Sequence, residues 1–506
     1  MKQRNEIKSG VILSYVYLSI AMIAGLLYTP QMLRMMGQSE YGLYSIANSV
    51  ISYLSFLGLG LESALIKYTA KYIALEDKES ERKLGGGFIK VYLIIAAVTL
   101  VCGFVLANNL GFLSQNLTAT EASRLRIIVM IMTVNLAVSF PMGVFGAVIT
   151  AHERFTFRKT VDIIREITLP ITILVFLSMG YRAIGLVVIH TVFNFIVLIS
   201  NFIYARKVLG YKPIFAKFDI PLIKEITGYT VFIFIGTVVD RISDATNSMV
   251  IAAVSGAAAV AVFGVSIQIY GYYLNFSSSI STFFFPRVVG MTYKNASDEE
   301  VTDLFIKVGR VQLYVIALIC SGFIVIGRDF INLWAGPEYS MAYYIIVVLM
   351  VPTLINRSQS LGVQILQARN KHKFRAILFL FITLLDIGIS IPLAMMWDGL
   401  GAAIGTFIAT LIGPIIIMNI YYSKKMHLDM KRYWKRTIPI LLLVAVLVAL
   451  GLLMNYFWKA DNWIVLLAQG LIYLVVYAFV MYFIAFNDYE KGLITGFISK
   501  FKRKKA

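Results

Sequence analysis

Asp240, Arg241 and Asp244 interrupt the middle of an otherwise apolar stretch, residues 228–254. That stretch is long enough to cross a bilayer as a helix, which takes about 20 apolar residues. Each charge near a membrane centre costs roughly 2.5–3.5 kcal/mol on insertion scales. Such charges persist where they face a wet cavity, a partner or a substrate. Asp240 and Asp244 share one helix face, and Arg241 stands three residues from Asp244, within reach of an ion pair. Ser243, Thr246, Asn247 and Ser248 add polarity, so this helix reads as the lining of a hydrated path. Other charges lie inside apolar runs: Glu62, Asp386, Arg357 beside Asn356 and behind Pro352, and Arg165 between Asp162 and Glu166. Arg165 is expected to bond to Asp162 at i−3, near the membrane surface.

The elements that must carry these residues follow from composition. The chain has 506 residues, 59% of them hydrophobic, and a mean hydropathy of +0.78. A soluble protein of this size cannot hide so much apolar surface, so the chain is an integral membrane protein with many spans. Fourteen spans are expected, near 9–33, 41–64, 87–108, 125–150, 160–180, 184–205, 228–254, 258–286, 306–327, 342–366, 374–396, 400–422, 438–457 and 463–486. All are helical, because backbone in lipid must satisfy its own hydrogen bonds. With the N-terminus in the cytoplasm, 37 Lys and Arg fall on the cytoplasmic side and six on the outer side. The positive-inside rule therefore places both termini in the cytoplasm. The net charge of +19 sets topology and anchors lipid headgroups; no nucleic-acid partner is expected. Cys102 and Cys320 sit in apolar runs and His152, His190, His372 and His427 are scattered, so neither a metal site nor a disulfide framework is expected.

The chain also repeats itself. ITAHERFTFRK from Ile149 matches LQARNKHKFRA from Leu366 at a shift of 217, superposing Phe157 on Phe374 and Arg158 on Arg375. Each copy is followed by a span, a Gly-containing turn, a second span and a basic exit beginning at Tyr204 or Tyr421. Six spans per half give both halves the same orientation. The expected domains are an N-lobe over 1–210, a C-lobe over 211–430, and two further spans with a basic tail over 431–506. Parallel repeats with a polar helix opening the second half suit an alternating-access transporter.

Three motifs carry a resemblance over nearly the whole chain. Gly37-Gln-Ser-Glu-Tyr41-Gly42-Leu43-Tyr44 follows the first span. Leu366-Gln-Ala368-Arg-Asn-Lys371-His-Lys373-Phe374 links the tenth and eleventh. Trp397-Asp-Gly399-Leu-Gly401-Ala402-Ala403-Ile-Gly405-Thr406 joins the eleventh and twelfth, preceded by Asp386 and Pro392. With fourteen spans and the repeat, they resemble the polysaccharide transporter family of the multidrug/oligosaccharidyl-lipid/polysaccharide flippase superfamily. Asp386 stands where that family often has Asn. The resemblance implies translocation of isoprenoid-diphosphate-linked oligosaccharide from the inner to the outer leaflet of a bacterial cytoplasmic membrane. It implies a cavity lined by the first, second, seventh and eighth spans, and coupling to an H⁺ or Na⁺ gradient without a bound cofactor. No phosphate-binding G-x-x-x-x-G-K-[ST] loop is present, and Gly85-Gly86-Gly87 lacks its lysine.

On that reading Arg241 and Arg357 would hold the diphosphate, because a guanidinium presents a planar fork of donors to phosphate. Asn247 and Tyr272 would add polar and stacking contacts. Glu62, Asp240, Asp244 and Asp386 would bind the coupling ion, with Glu62 alternatively pairing to an Arg of the seventh span. The expected partners are the lipid-linked substrate, membrane lipids, and a polysaccharide polymerase with its assembly proteins; a monomer suffices. A multidrug exporter or a flippase for the peptidoglycan lipid precursor is the alternative in the same superfamily. A membrane enzyme would need a catalytic cluster on an outer loop. Those loops are short, and Glu40 is expected to stand alone there.

Overall fold

A computed structural model describes residues 2–58, 60–110, 117–216, 245–275, 288, 291, 296–369 and 371–492. The described residues are almost entirely helical. In order they form α1 (Lys2–Met36), α2 (Gln38–Ser55), α3 (Leu61–Ala74), α4 (Lys78–Asn108), α5 (Ala119–Ala151), α6 (Phe155–Ser178) and α7 (Ala183–Lys207). Then come α8 (Ala245–Asn275), α9 (Asp298–Trp334), α10 (Met341–Ser358), α11 (Leu361–Ala368), α12 (His372–Thr410), α13 (Met418–Met426), α14 (Met430–Phe457) and α15 (Trp463–Val480). Among the described residues, eleven stretches are long and apolar enough to span a membrane. The protein is an all-helical, multi-pass membrane protein.

Starts and breaks are written locally. Thr118 with Glu121 and Ser297 with Glu300 form capping boxes at α5 and α9, each pair satisfying two of the helix's orphan N–H groups. The expected second span is not continuous. It stops at a 3₁₀ turn over Phe56–Gly58 and restarts as α3 after Gly60, whose φ of +81° is left-handed. The ring of Phe140 occupies the place where a Cβ on Gly58 would stand. Two helices, α8 and α12, are folded hairpins. Gly256 has φ +78°, separating the seventh span from the eighth. In α12, Trp397 at φ −137° and Asp398 at φ +52° separate the eleventh from the twelfth. The Ser255 hydroxyl donates to Asp398 Oδ1, holding that carboxylate beside a strained backbone turn.

The chain forms two compact units, Met1–Gly264 with Ala394–Gly399, and Val265–Leu393 with Leu400–Ala506. In the first unit α5 packs along α4 and α7, and α1 along α6. Leu65, Tyr68, Phe88, Tyr92, Val148 and Ile149 lie in its core. In the second, α9 packs on α10, α14 and α15, over a core that includes Phe305, Leu361, Tyr422 and Tyr433. Phe157 stacks on Tyr204 with ring centroids 3.9 Å apart and planes at 14°. Phe374 stacks on Tyr421 at 4.0 Å and 5°. Both residues of the pair recur at the shift of 217, so the repeat seen in the sequence is also a repeated packing unit.

The second unit is clasped by a buried ion pair that the sequence does not announce. Arg310 of α9 donates from Nε to Glu490 Oε1 at 2.7 Å and from Nη2 to Oε2 at 2.9 Å. It also reaches the Arg436 carbonyl at 2.8 Å, the Ala485 carbonyl at 2.9 Å and the Tyr314 hydroxyl at 2.7 Å. A single guanidinium thus ties α9 to the start of α14 and to the segment after α15.

Candidate functional site

The first unit holds a seam between α2 and the α8 hairpin. A Cβ on Gly42 would fall inside the backbone of Ala257, whose Cα lies 2.9 Å from that position. The Tyr41-Gly42-Leu43-Tyr44 motif is therefore a packing motif: its glycine lets two helix backbones touch. Further along the seam the Tyr53 hydroxyl meets Thr246 Oγ1, and Asn247 is buried, 2% exposed. Asp240, Arg241 and Asp244 lie outside the described residues.

Glu40 is not alone. It is buried at 5% exposure, forms an ion pair with Arg124 of α5, and accepts from the Ala183 N–H at 3.2 Å. That N–H opens α7, where a carboxylate also complements the helix dipole. Ser39 beside it donates to Glu121. The motif after the first span thus pins the ends of three helices. Glu62, at the start of α3, faces Arg158 Nη2 at 3.6 Å, and Arg158 also donates to Thr150 Oγ1. Its observed partner is a cation at the start of α6. Arg165 does not bond to Asp162 as expected; Asp162 pairs with Lys159 at 3.5 Å. Arg165 Nε is shut off from solvent with no hydrogen-bond partner among the described residues.

In the second unit Asp386 is buried at 5% exposure on the first arm of the α12 hairpin. Its Oδ1 accepts from the Ser390 hydroxyl at 2.8 Å and from the Thr406 hydroxyl at 3.1 Å. Ser390 also donates to the Ala402 carbonyl at 3.2 Å. A carboxylate, two hydroxyls and a carbonyl converge here, a set of hard oxygen donors of the kind that suits hard cations. Gly405 makes the convergence possible. A Cβ there would stand 2.7 Å from Ser390 Cα and 2.8 Å from its backbone nitrogen. Backbone cannot step aside cheaply, so Gly405→Ala is expected to force the two arms apart at a cost of about 1–3 kcal/mol. A lowered melting temperature in detergent, with loss of any cation-induced stabilisation, is the result to look for; an unchanged melt would contradict it.

Arg357 stands near the end of α10. Its Nε is buried and without a hydrogen-bond partner among the described residues. One turn earlier Thr353 Oγ1 lies 2.7 Å from the Tyr270 hydroxyl, and Arg357 is within electrostatic reach of Tyr273. Tyr273 is 1% exposed and its hydroxyl likewise lacks a partner among the described residues. A guanidinium with an open donor, beside a phenol with an open donor, is an arrangement that can receive an anion. Tyr272 is half-buried and its hydroxyl accepts from Gln268 Nε2 at 3.1 Å, one turn back. Of the expected residues, the structure brings Arg357 near the tyrosine cluster of α8 and encloses Asp386 in hydroxyls. Ser390 and Thr406 were missed, though Ser390 is four residues from Asp386 and so on its face.

The model of the polysaccharide biosynthesis protein family matches residues 7–292 of this chain. A relative of 21% identity, the uncharacterized membrane protein EpsK of Bacillus subtilis strain 168, matches over 97% of this chain and 96% of its own length. Among solved structures, the lipid II flippase MurJ in an inward closed conformation aligns with a TM-score of 0.72 at 15% identity, covering 93% of this chain and 99% of that one. An inward-facing multidrug resistance transporter of the MATE family aligns with a TM-score of 0.66 at 14% identity, covering 81% and 98%. These likenesses establish the fold.

Proposed function

The chain belongs to the polysaccharide biosynthesis protein family, and from that premise we propose that it is a flippase for isoprenoid-diphosphate-linked oligosaccharide. It takes the sugar-diphosphate head from the cytoplasmic leaflet and delivers it to the outer leaflet of the bacterial cytoplasmic membrane. The observation that carries this reading is the buried Nε of Arg357, without a hydrogen-bond partner among the described residues, in the last turn of a helix long and apolar enough to span a membrane. A buried guanidinium donor without a hydrogen-bond partner among the described residues is costly, and a diphosphate is an anion that would offset it. Arg241 would serve the same anion from the seventh span. The lipid tail stays in the bilayer while the head crosses, as in the alternating access of paired helical lobes. A distribution of 37 basic residues against six supports cytoplasmic termini. The lipid-linked product would pass to a polysaccharide polymerase and its assembly proteins, and one chain would suffice for the transport cycle.

Coupling falls to the carboxylates. Asp386, with the Ser390 and Thr406 hydroxyls and the Ala402 carbonyl around it, would bind Na⁺ or H⁺ in one state of the cycle more tightly than in the other. Only that difference in affinity can drive the equilibrium. Glu62, Asp240 and Asp244 are the further candidates. Asp386→Asn keeps the side-chain shape and removes the charge. In proteoliposomes it is expected to abolish the acceleration of transport by an imposed ion gradient, while exchange without a gradient persists. Gradient-driven transport at the wild-type rate would remove Asp386 from the coupling role.

A further inference from the structure

The shift of 217 that superposes Phe157 on Phe374 also superposes Glu81 on Asp298, His152 on Arg369 and Tyr211 on Leu428. In the second unit these positions form a closed clasp. Arg369 donates from Nη2 to Asp298 Oδ1 at 2.9 Å and from Nη1 to the Met426 carbonyl at 2.9 Å. The chain leaving α13 turns through His427 at φ +55° and bonds the Leu428 N–H to the Tyr422 carbonyl at 3.0 Å. The first unit repeats the turn. Gly210 has φ +63°, and the Tyr211 N–H donates to the Ala205 carbonyl at 2.9 Å. It does not repeat the chemistry, because a histidine stands where the second unit has an arginine.

Residues 208–216 of the first unit lie as a strap across the start of α4. The Ile214 N–H donates to the Arg82 carbonyl at 3.0 Å. Arg82 Nη2 donates to the Gly210 carbonyl at 3.3 Å, and Lys90 Nζ to the Ala216 carbonyl at 2.8 Å. The Tyr211 hydroxyl donates to the Glu81 carbonyl at 3.5 Å. Two glycines make the seat. A Cβ on Gly85 would fall on the Tyr211 hydroxyl, and one on Gly86 would stand 2.6 Å from the Ile214 carbonyl carbon. The strap therefore rests on the turn of α4 that carries Glu81.

His152, at the end of α5, faces Glu81 on that turn. Its Nε2 lies 3.5 Å from Glu81 Oε1, and the two side chains are 24% and 8% exposed. Oε1 has no hydrogen-bond partner among the described residues. His152 Nδ1 is 3.0 Å from the Val148 carbonyl. A carbonyl only accepts, so Nδ1 carries a hydrogen, and without a further proton Nε2 turns a lone pair toward a carboxylate oxygen. Two acceptors cannot bond each other; one proton between them satisfies both.

We propose that Glu81 and His152 form a proton-binding site in the first unit, one proton shared by Oε1 and Nε2, which closes the clasp that Arg369 closes permanently in the second. Arg82 and Lys78 of α4 are within electrostatic reach of Glu81, as is Tyr211 of the strap. On α6, Arg158 is turned to Glu62; on α3, Lys67 and Lys71 lie over the Tyr68 ring; Glu153 and Arg154 follow His152 in the chain. The cations of this surround oppose a second proton, so the site holds one. As pH rises and the proton leaves, Nε2 is set against the carboxylate and the turn loosens. The strap is thus held at low pH and released at high pH. The site is independent of the anion site in the flippase reading and stands or falls without it.

The test is hydrogen–deuterium exchange of the full-length protein in nanodiscs, read by mass spectrometry and corrected for the pH dependence of exchange itself. It compares about pH 6 with about pH 8, the range over which a histidine changes charge. In wild type, protection of the Tyr211 and Ile214 amides is expected to fall about tenfold as pH rises, since strap closure is linked to one proton. The Leu428 amide, beside the Asp298–Arg369 pair and next to the exposed histidine His427, should not change. His152→Arg copies the second unit and should keep the strap protected at both pH values. Glu81→Gln, whose amide can donate to Nε2, should do the same. Equal protection of the wild-type strap at the two pH values overturns the proposal, and so does a pH dependence that persists in His152→Arg.

Discussion

Glu490→Ala is expected to lower thermal stability in detergent more than any other single charge removal among the described residues. Arg310 is 8% exposed and Glu490 is 3% exposed. Removing one partner of a buried pair leaves an uncompensated charge and costs about 3–5 kcal/mol. Here Arg310 would keep its three oxygen partners at the Arg436 and Ala485 carbonyls and Tyr314, which places the loss toward the lower end. Glu490 also accepts from the Tyr314 hydroxyl at 3.1 Å and the Asn487 N–H at 2.9 Å, so its removal loosens the segment after α15 as well. The double variant Arg310→Met with Glu490→Leu removes both charges and should recover most of the loss, because a buried pair contributes little over well-packed apolar side chains. A melt of the Glu490→Ala protein equal to wild type would show that the clasp is slack.

Arg357→Gln is expected to have the opposite signature. Transport of lipid-linked oligosaccharide should fall by about 100-fold or more, the order lost when a charge-assisted contact to an anion, worth about 3 kcal/mol, disappears. Stability should stay level or rise, since the residue's Nε is buried without a hydrogen-bond partner among the described residues and a charge held in a membrane-spanning helix is costly. Arg357→Lys keeps the charge but loses the fork that grips phosphate bidentately, so it should recover only part of the activity. Measuring the melt and the transport rate on the same preparations separates the two roles. A structural arginine would lose stability and transport together; wild-type transport in a folded Arg357→Gln protein would remove it from the anion site.

The fold was largely legible because it is dictated by composition. Long apolar runs can cross a membrane only as helices, and the repeated Phe157 and Phe374 end up in matching stacks on Tyr204 and Tyr421. What escaped the sequence depends on contacts between distant segments. Arg310 reads as one more basic residue of the positive-inside count until the fold brings Glu490 to it, 180 residues away in the chain. Gly42 reads as a family signature, and its reason becomes physical only beside Ala257. The break at Gly58–Gly60 is hidden because its flanking residues continue an apolar run that hydropathy alone treats as one helix. Local reasoning also misled: Asp162 is three residues from both Lys159 and Arg165, and the fold gives it to Lys159. Asp386 was found from its charge inside a span, whereas the hydroxyl of Thr406 comes from the other arm of the hairpin, which charge placement does not reveal.

The most direct test of the flippase account is mass spectrometry of isoprenoid-diphosphate lipids after depletion of the protein from its native cells, with surface glycan measured in parallel. The account predicts that a finished oligosaccharide-lipid accumulates while the surface polymer disappears, and that wild-type protein but not Arg357→Gln reverses both. Unchanged lipid pools, with cells newly sensitive to cationic dyes, would contradict it and assign the protein to drug export.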